Sequence, residues 1–180
     1  MLFLLTKTFS KASPLVFSKL FKTYARPLLE FANGVWSPIL QKDILCLESI
    51  QRRATRFPFG INRPPYCERL RLMHLCPLSD RRKRGDLIIT YQALSNSFFP
   101  MRHLFPPNTS DRTRGHPPKL RKLKFCTLGR QKFLTNRVFD SWNALPKDIV
   151  LASSLSYTED KATTQFVAGI TGITSARSSL

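Results

Sequence analysis

Three observations predict a mainly α-helical fold for this chain of 180 residues. Apolar residues recur at spacings of three and four in several segments, which places them on one face of a helix. Prolines separate these segments and predict the helix ends. Apolar residues form 42 % of the chain and include 14 phenylalanines, a composition that can supply a core and differs from that of a disordered chain. One short β-hairpin is expected near Lys119–Leu128, within a C-terminal half that is otherwise irregular, proline-rich and basic.

Residues 1–57 are predicted to form a helical hairpin. Ser13 can cap a first helix that has Pro14 at its first position. The helical spacing then predicts a buried stripe of Val16, Leu20, Phe21, Tyr24 and Leu28. Pro27 lies inside this pattern, so the helix is expected to kink or divide there.

A turn and a second helix complete the hairpin. Asn33-Gly34 is a turn signal, and Trp36 after it is expected to pack in the core. The second helix is predicted to bury Ile44, Leu47, Ile50, Ala54 and Phe57. Its opposite face carries Lys42, Arg52, Arg53 and Arg56. Pro58 should end this helix, because proline donates no backbone hydrogen bond.

Residues 58–97 are predicted to form a loop and two basic helices. Tyr66–His74 should be a short amphipathic helix that ends before Pro77 and buries Leu70, Met73 and Leu75. A longer helix is expected to start with Ser79 or Asp80 as its cap and to run to about Asn96. Its predicted buried stripe consists of Leu87, Ile88, Tyr91 and Leu94. The run Arg81–Arg84 in its first turn opposes the helix dipole unless an anion or an acidic side chain lies beside it.

Residues 98–156 are predicted to form a proline-rich basic arm and a terminal helix. Eight Lys and Arg and no acid lie between Arg112 and Lys132. The terminal helix has Leu134, Val138 and Trp142 at successive turns and should stop at Pro146. Residues 157–180 are rich in Ser, Thr and Gly, and we expect this tail to be poorly ordered.

The excess of positive charge is the strongest functional signal in the sequence. Lys and Arg number 29 against 11 Asp and Glu, a formal net charge of +18. Such a field attracts polyanions and speeds their encounter with the protein. Nucleic acid is therefore the favoured partner, and an anionic membrane surface is second. No apolar run approaches the roughly 20 residues of a transmembrane helix, and we expect no membrane partner.

Three basic clusters are the candidate nucleic-acid-binding sites. They are Arg52, Arg53 and Arg56; Arg81, Arg82, Lys83 and Arg84; and Arg112, Arg114, Lys119, Arg121, Lys122 and Lys124. Arginine can hold phosphate through two hydrogen bonds and can stack on bases. Each cluster could instead be a solvated surface or pair with acids of another domain. Three clusters in one chain favour contact with nucleic acid at one of them at least. Phe57, Phe59 and Tyr66 could stack on bases, but core packing is favoured.

The cysteines predict reduced thiols in an intracellular protein. Cys46, Cys67, Cys76 and Cys126 show no recurring spacing, unlike a disulfide framework. A zinc site of Cys67, His74 and Cys76 is disfavoured because it lacks a close C-x-x-C pair. Residues 1–29 are basic without acids and loosely fit a mitochondrial presequence. A helical hairpin is the favoured interpretation, so the nucleus or cytoplasm is the expected location.

Five sequence blocks in a fixed order carry a family resemblance. They read LFKTYARPLLEFANGVWSP, KDILCLESIQRRATR, RRKRGDLIITYQ, DRTRGH and FDSWNALP. The series, from about Leu4 to Ser156, resembles the C-terminal part of the reverse transcriptase of LINE-type (non-LTR) retrotransposons, downstream of the polymerase palm. The resemblance implies a helical, thumb-like segment followed by a basic region, which together hold RNA or an RNA–DNA hybrid. It also implies contact with upstream polymerase domains.

No catalytic site is expected in the chain itself. Nucleotidyl transfer needs clustered carboxylates that hold two metal ions, and the only adjacent acids are Glu159-Asp160 in the divergent tail. The resemblance implies that the paired aspartates and their magnesium belong to an upstream palm, so we expect no cofactor or metal here. His74, His103 and His116 have no evident nucleophile beside them, and no G-x-S-x-G motif occurs.

Two functional hypotheses follow. The first is a fragment of an RNA-directed DNA polymerase that keeps a template- and primer-binding region and lacks catalysis. The alternative is a non-catalytic basic nucleic-acid-binding protein, or a non-functional relic of a retroelement. The composition change after Ser156 departs from the family and is compatible with the alternative.

Overall fold

The computed structural model describes residues 1–9, 11–108 and 118–151, and this part of the chain is mainly helical. Arg112, Arg114, His116 and the tail 157–180 lie outside the described residues. The α-helices are α1 Leu2–Thr8, α2 Pro14–Leu20, α3 Arg26–Glu30, α4 Gln41–Arg56, α5 Tyr66–Leu72, α6 Leu78–Ser95, α7 Leu128–Lys132, α8 Leu134–Arg137, α9 Phe139–Asn143 and α10 Lys147–Val150. Among the described residues, no helix combines the length and the apolar character needed to cross a membrane.

The chain divides into two compact units. The first spans Met1–Arg82 and the second Lys83–Leu180. The first unit therefore contains the whole predicted hairpin 1–57 together with much of the predicted segment 58–97. Each unit has a hydrophobic core of its own, and each is described separately.

Helix α2 begins as predicted but buries a different face. Ser13 is the N-cap, its Oγ accepts from the backbone N–H of Val16 at 3.5 Å, and Pro14 follows at the first position. Phe17 and Phe21 are fully buried, whereas Val16 is 49 % exposed. Tyr24 and Leu28 of the predicted stripe are exposed as well. Since an aromatic ring removes more apolar area from water than valine does, the helix turns Phe17 inward, where its ring lies 5.5 Å from that of Phe57.

The predicted break at Pro27 is confirmed. A π-helical turn, Phe21–Ala25, separates α2 from α3. Pro27 is in the first turn of α3. Proline has no backbone N–H, so one hydrogen bond is missing from the helix at this point. The wider π turn lets the chain continue in a helical direction past this gap.

The turn after α3 is confirmed, but the prediction for Trp36 is wrong. Residues 31–35 form turns, and Ala32 has a left-handed φ of 52°. The Trp36 N–H donates to the Ala32 carbonyl at 3.1 Å. This tight return leaves the indole at the surface, 43 % exposed, rather than in the core.

Helix α4 has the predicted basic face but a partly polar buried face. The arginines of its last turns are exposed and Ala54 is buried, as predicted, but Ile44, Leu47 and Ile50 are only half-buried. Glu48, Gln51 and Thr55 are buried instead. Glu48 and Gln51 can be buried because they meet hydrogen-bonding partners from the segment 66–78, as described below. The Thr55 hydroxyl donates to the Arg52 carbonyl of its own helix at 3.1 Å. The helix ends at Arg56, and Pro58 lies in the short 3₁₀ turn Phe57–Phe59, as the sequence predicts.

Helix α5 confirms its predicted core residues. Leu70, Met73 and Leu75 are buried and pack with Leu5 and the inward phenylalanines of the first unit. The Ser18 hydroxyl donates to the Met73 carbonyl at 2.5 Å. Phe57 and Phe59 pack against the same core, which confirms core packing as the role of these rings.

Helix α6 begins earlier than predicted and buries another stripe. Its first residue is Leu78, whose backbone N–H donates to Oε2 of Glu48 at 3.0 Å. A carboxylate from α4 therefore supplies the acceptor that Ser79 or Asp80 was expected to supply. In the second unit, Asp86, Leu87, Thr90 and Ala93 are the buried positions of α6. Of the predicted stripe, only Leu87 is fully buried; Ile88, Tyr91 and Leu94 are half-buried.

The second unit confirms the predicted apolar residues of its terminal helices. Leu134, Val138 and Trp142 are buried, although the chain divides into α8 and α9 rather than forming one helix. The Trp142 indole N–H donates to the Pro118 carbonyl at 2.8 Å. Helix α9 ends at Asn143, before Pro146.

The predicted β-hairpin near Lys119–Leu128 is wrong. Residues 121–127 have no helix or strand, and Leu120 makes an isolated antiparallel bridge with Pro107. The Asn143 amide accepts from the Leu120 N–H at 3.0 Å and donates to the Leu120 carbonyl at 3.1 Å. A side chain thus satisfies the backbone groups that a second strand would otherwise pair.

Candidate nucleic-acid interface

The first predicted cluster forms an exposed cationic surface at the end of α4. Arg52, Arg53 and Arg56 all lie at the surface of the first unit. Cations in the last turn of a helix interact favourably with its dipole, which helps to explain why Arg53 and Arg56 are tolerated there. Within the residues that the structure describes, no carboxylate lies within ion-pair distance of Arg53 or Arg56.

An open pocket adjoins this cluster. Arg53 and Arg56 line it together with Arg63, and the apolar lining includes Phe3 and Phe57. The sequence interpretation missed Arg63, which follows α4 in a proline-rich loop. The chain turns back at Gly60, whose φ of 58° suits glycine. This glycine is the feature of the sequence that could have indicated the return of Arg63 towards α4. We use the name "arginine surface" for Arg52, Arg53, Arg56 and Arg63.

Tyr66 connects the arginine surface to a buried hydrogen-bond network. The guanidinium of Arg52 lies 4.6 Å from the centre of the Tyr66 ring, and that of Arg69 lies 5.5 Å from it. The Tyr66 hydroxyl donates to Oε1 of Glu48 and accepts from Nε2 of Gln51 at 3.2 Å. Burial, and then the hydrogen bond to the Glu48 carboxylate, raise the pKa of Tyr66 well above its ordinary value.

Arg69 is the unusual member of this region, because it is only 4 % exposed. Within the described part of the chain, its Nε and Nη1 atoms are buried without a hydrogen-bond partner. Desolvation lowers the pKa of its guanidinium, and repulsion from Arg56 and Arg63 lowers it further. The sequence interpretation missed Arg69, since α5 by itself shows only a short amphipathic pattern.

The second predicted cluster is divided between different roles. Arg81 donates to Glu30 through Nε at 2.5 Å and through Nη2 at 3.0 Å, and this hydrogen bond raises the pKa of Arg81. Arg82 is buried in the first unit. In the second unit Lys83 is exposed and Arg84 half-buried. Glu30 is thus the acidic neighbour that the cationic first turn of α6 requires.

The third predicted cluster is partly described. Arg121, Lys122 and Lys124 are exposed, and Lys119 is half-buried. The Lys122 ammonium lies 5.6 Å from the centre of the Phe139 ring. Lys122 also lines a small pocket of the second unit, whose other residues include Lys132, Arg137 and Asp140. Lys132 was not among the sequence candidates.

The buried carboxylates serve structural contacts. Glu48 accepts hydrogen bonds from Tyr66 and Leu78, and Asp86 forms a two-point ion pair with Arg137, at 2.7 Å for each contact. The described ranges contain no group of three His, Cys, Asp or Glu side chains suited to a metal ion. Cys67, His74 and Cys76 are thus not brought together as ligands, and the four cysteines are free thiols.

Comparison with known proteins finds no matching family model, no similar curated protein and no similar solved structure. The resemblance to non-LTR reverse transcriptases therefore rests on the five sequence blocks. The candidate interface rests on the placement of the arginines, which does not depend on that resemblance.

Proposed function

We propose that this chain is a nucleic-acid-binding segment of a non-LTR retrotransposon reverse transcriptase, in the thumb-like region that follows the palm. Its ligand is RNA or an RNA–DNA hybrid, held by the arginine surface, and the chain does not catalyse nucleotide transfer on its own. One observation carries the proposal. Four arginines within 12 residues are exposed together, beside an open pocket with phenylalanine in its lining.

The chemistry of the arginine surface suits a polyanion with flat bases. Each guanidinium can donate two parallel hydrogen bonds to a phosphate. The pocket places Arg53, Arg56 and Arg63 around Phe3, whose side chain is 72 % exposed. An exposed ring beside cations is the combination by which proteins bind single-stranded nucleic acid, since bases stack on the ring and phosphates contact the charges.

The arginine surface is also unfavourable without a ligand. Like charges held close together repel one another, and within the described residues no acidic side chain neutralises Arg53, Arg56 or Arg63. A bound polyanion would relieve this repulsion. By contrast, Arg81 already has Glu30 as its partner, so the second cluster is the weaker candidate for contact with nucleic acid.

The upstream polymerase domains are the proposed protein partner. The turn that follows α3 exposes large apolar side chains, with Phe31 75 % and Val35 72 % accessible. Leu28 and Trp36 beside them are exposed as well. An exposed apolar patch of this kind is typical of a protein contact, and the family resemblance implies which protein that is.

The experiment is a comparison of binding affinities for the full chain. Fluorescence anisotropy with a labelled single-stranded RNA and an RNA–DNA hybrid gives Kd for the wild type and for the double variant Arg53→Gln/Arg56→Gln. The control double variant, Arg71→Gln/Arg102→Gln, removes the same charge from exposed positions elsewhere.

We expect the Arg53/Arg56 variant to lose about tenfold or more in affinity, because it loses direct contacts with phosphates. The control should lose about threefold or less, because salt screens the attraction between distant charges and the nucleic acid. Equal losses in the two variants would contradict the proposed surface. If the wild type does not bind either ligand, the proposed function itself is wrong.

A further inference from the structure

Within the described ranges, no anion lies beside the buried guanidinium of Arg69. The side chain is only 4 % exposed, and two of its nitrogen atoms, Nε and Nη1, have no hydrogen-bond partner among the described residues. A buried cation without a partner is costly, and folded proteins almost always supply one. Its presence here indicates that the partner lies outside the described residues.

The described side chains around Arg69 do not neutralise it. Arg52, Arg56 and Arg63 are the charged neighbours that act on Arg69, and all three are cations. The Tyr66 ring lies next to the Arg69 guanidinium, and its side chain is neutral at physiological pH. Its hydroxyl already donates a hydrogen bond to Glu48. The Glu48 carboxylate is itself engaged by the Tyr66 hydroxyl and the Leu78 backbone N–H.

We propose that Arg69, Arg56 and Arg63 form a binding site for one phosphate group, and that this group belongs to the bound nucleic acid. The inference rests on the proposed function and makes it specific, because it names the subsite that anchors one phosphate. Arg69 supplies the inner donors, and the exposed Arg56 and Arg63 supply the outer ones. Arg52, on the same tyrosine ring, adds positive charge.

The position of this subsite also fits a single strand. Arg56 and Arg63 line the pocket that contains the exposed ring of Phe3, so a phosphate held between these arginines and Arg69 would bring the neighbouring base to the pocket. Bases of any sequence can stack on an aromatic ring. We therefore expect a phosphate-anchored contact with little base preference.

Inorganic phosphate is the first probe. The full chain is melted in phosphate and in chloride at equal ionic strength, and Arg69→Met is compared with the control Arg71→Met, which removes an exposed arginine of the same helix. For the wild type we expect a saturable rise in Tm of about 3 °C at ten times Kd. Arg71→Met should keep this rise and Arg69→Met should lose it.

Arg69→Met is expected to fold, because an apolar side chain of similar length replaces a buried cation that has no anionic or hydrogen-bond partner among the described residues. Its Tm in chloride should equal or exceed that of the wild type. If it does not fold, the exposed pair Arg56→Met/Arg63→Met must abolish the phosphate response instead. A wild type that is indifferent to phosphate, or a response lost equally in Arg71→Met, would overturn the site.

A second arm identifies the source of the phosphate. Anisotropy compares a short RNA with and without a 5′-phosphate. If Arg69→Met weakens both RNAs about tenfold and Arg71→Met does not, an internal phosphodiester occupies the site. A loss confined to the 5′-phosphorylated RNA identifies a terminal phosphate. If the phosphate response is specific but RNA binding is unaffected by Arg69→Met, the ligand is free phosphate and the nucleic-acid assignment is wrong.

Discussion

The hydroxyl of Tyr66 donates a hydrogen bond to the buried carboxylate of Glu48 and so joins helix α5 to helix α4. Gln51 donates to the same hydroxyl and to the Cys76 carbonyl, while Glu48 also accepts from the first N–H of α6. Helices α4 and α5 and the first residue of α6 therefore meet at one polar network in the first unit. Because this network holds Tyr66 beneath Arg52 and Arg69, it also positions the arginines of the candidate interface.

Replacement of Glu48 by alanine should destabilise the first unit by about 2–3 kcal/mol, because the Tyr66 hydroxyl and the Leu78 N–H both lose a buried acceptor. Urea unfolding at neutral pH measures the loss. Glu68→Ala, at an exposed position of α5, is the matched control and should change stability by about 0.5 kcal/mol or less. Similar effects of the two substitutions would show that the network does not stabilise the fold.

Stability should fall at alkaline pH because of Tyr66. Its pKa is raised in the folded protein by burial and by Glu48. The stabilisation is therefore complete below the unfolded pKa of about 10 and declines as the pH rises above it, since only the unfolded chain then ionises readily. Tyr66→Phe should flatten this decline in urea unfolding between pH 8 and 11.

Tyr24→Phe, which alters an exposed tyrosine, should keep the wild-type decline. If Tyr66→Phe and the wild type lose stability in parallel over this range, the ionisation of Tyr66 does not contribute to it.

The ion pair between Arg81 and Glu30 should contribute measurably to the first unit. Both side chains are about three-quarters buried and the contact has two hydrogen bonds. A double-mutant cycle with Glu30→Gln and Arg81→Met should give a coupling energy of about 1 kcal/mol. The coupling should decrease as salt is raised. A coupling energy near zero would mean that Glu30 does not hold Arg81, and Arg81 would then be a candidate for contact with nucleic acid.

In the second unit, Asp86→Asn should lower the free energy of unfolding by more than the loss of the Arg81–Glu30 ion pair does in the first unit. Asp86 and Arg137 are more deeply buried than Glu30 and Arg81, so removal of the Asp86 charge takes a buried two-point ion pair from Arg137, at a cost of about 3 kcal/mol. The double variant Asp86→Leu/Arg137→Met should recover part of this loss. Thermal melts of the three proteins decide the matter, and a double variant less stable than Asp86→Asn would argue against this account.

The sequence was a good guide to helix ends because proline acts locally. Pro14, Pro27 and Pro58 each mark the predicted start, break or end, since a missing N–H and a fixed φ need no knowledge of the rest of the chain. The prediction for Leu70 and Met73 succeeded for a related reason. The short α5 has one clear apolar face, and no second face competes with it.

The buried faces of the longer helices depended on tertiary partners and were harder to predict. Val16 and Phe17 both fit a helical stripe, and only contact with Phe57 selects Phe17. Glu48 and Gln51 look like surface residues until Tyr66 and the backbone near Cys76 are placed beside them. The short-range pattern contains none of these contacts.

The candidate interface shows the same division. Exposure of Arg52, Arg53 and Arg56 was predictable, because they lie off the apolar stripe of α4. Arg63 and Arg69 were missed, since a loop and a second helix bring them to the cluster. Arg81 was included among the candidates because local sequence does not show its partner. That partner is Glu30, which lies 51 positions away in the sequence.

The salt dependence of RNA binding tests the central claim most directly. The slope of log K against log salt would be measured for the wild type and for Arg53→Gln/Arg56→Gln, with single-stranded RNA. If these arginines contact two phosphates, the slope should become shallower by about 1.4 in the variant, since each single-strand contact contributes about 0.7. The Arg71→Gln/Arg102→Gln control should keep the wild-type slope. A slope unchanged in Arg53→Gln/Arg56→Gln would mean that nucleic acid does not bind at the arginine surface.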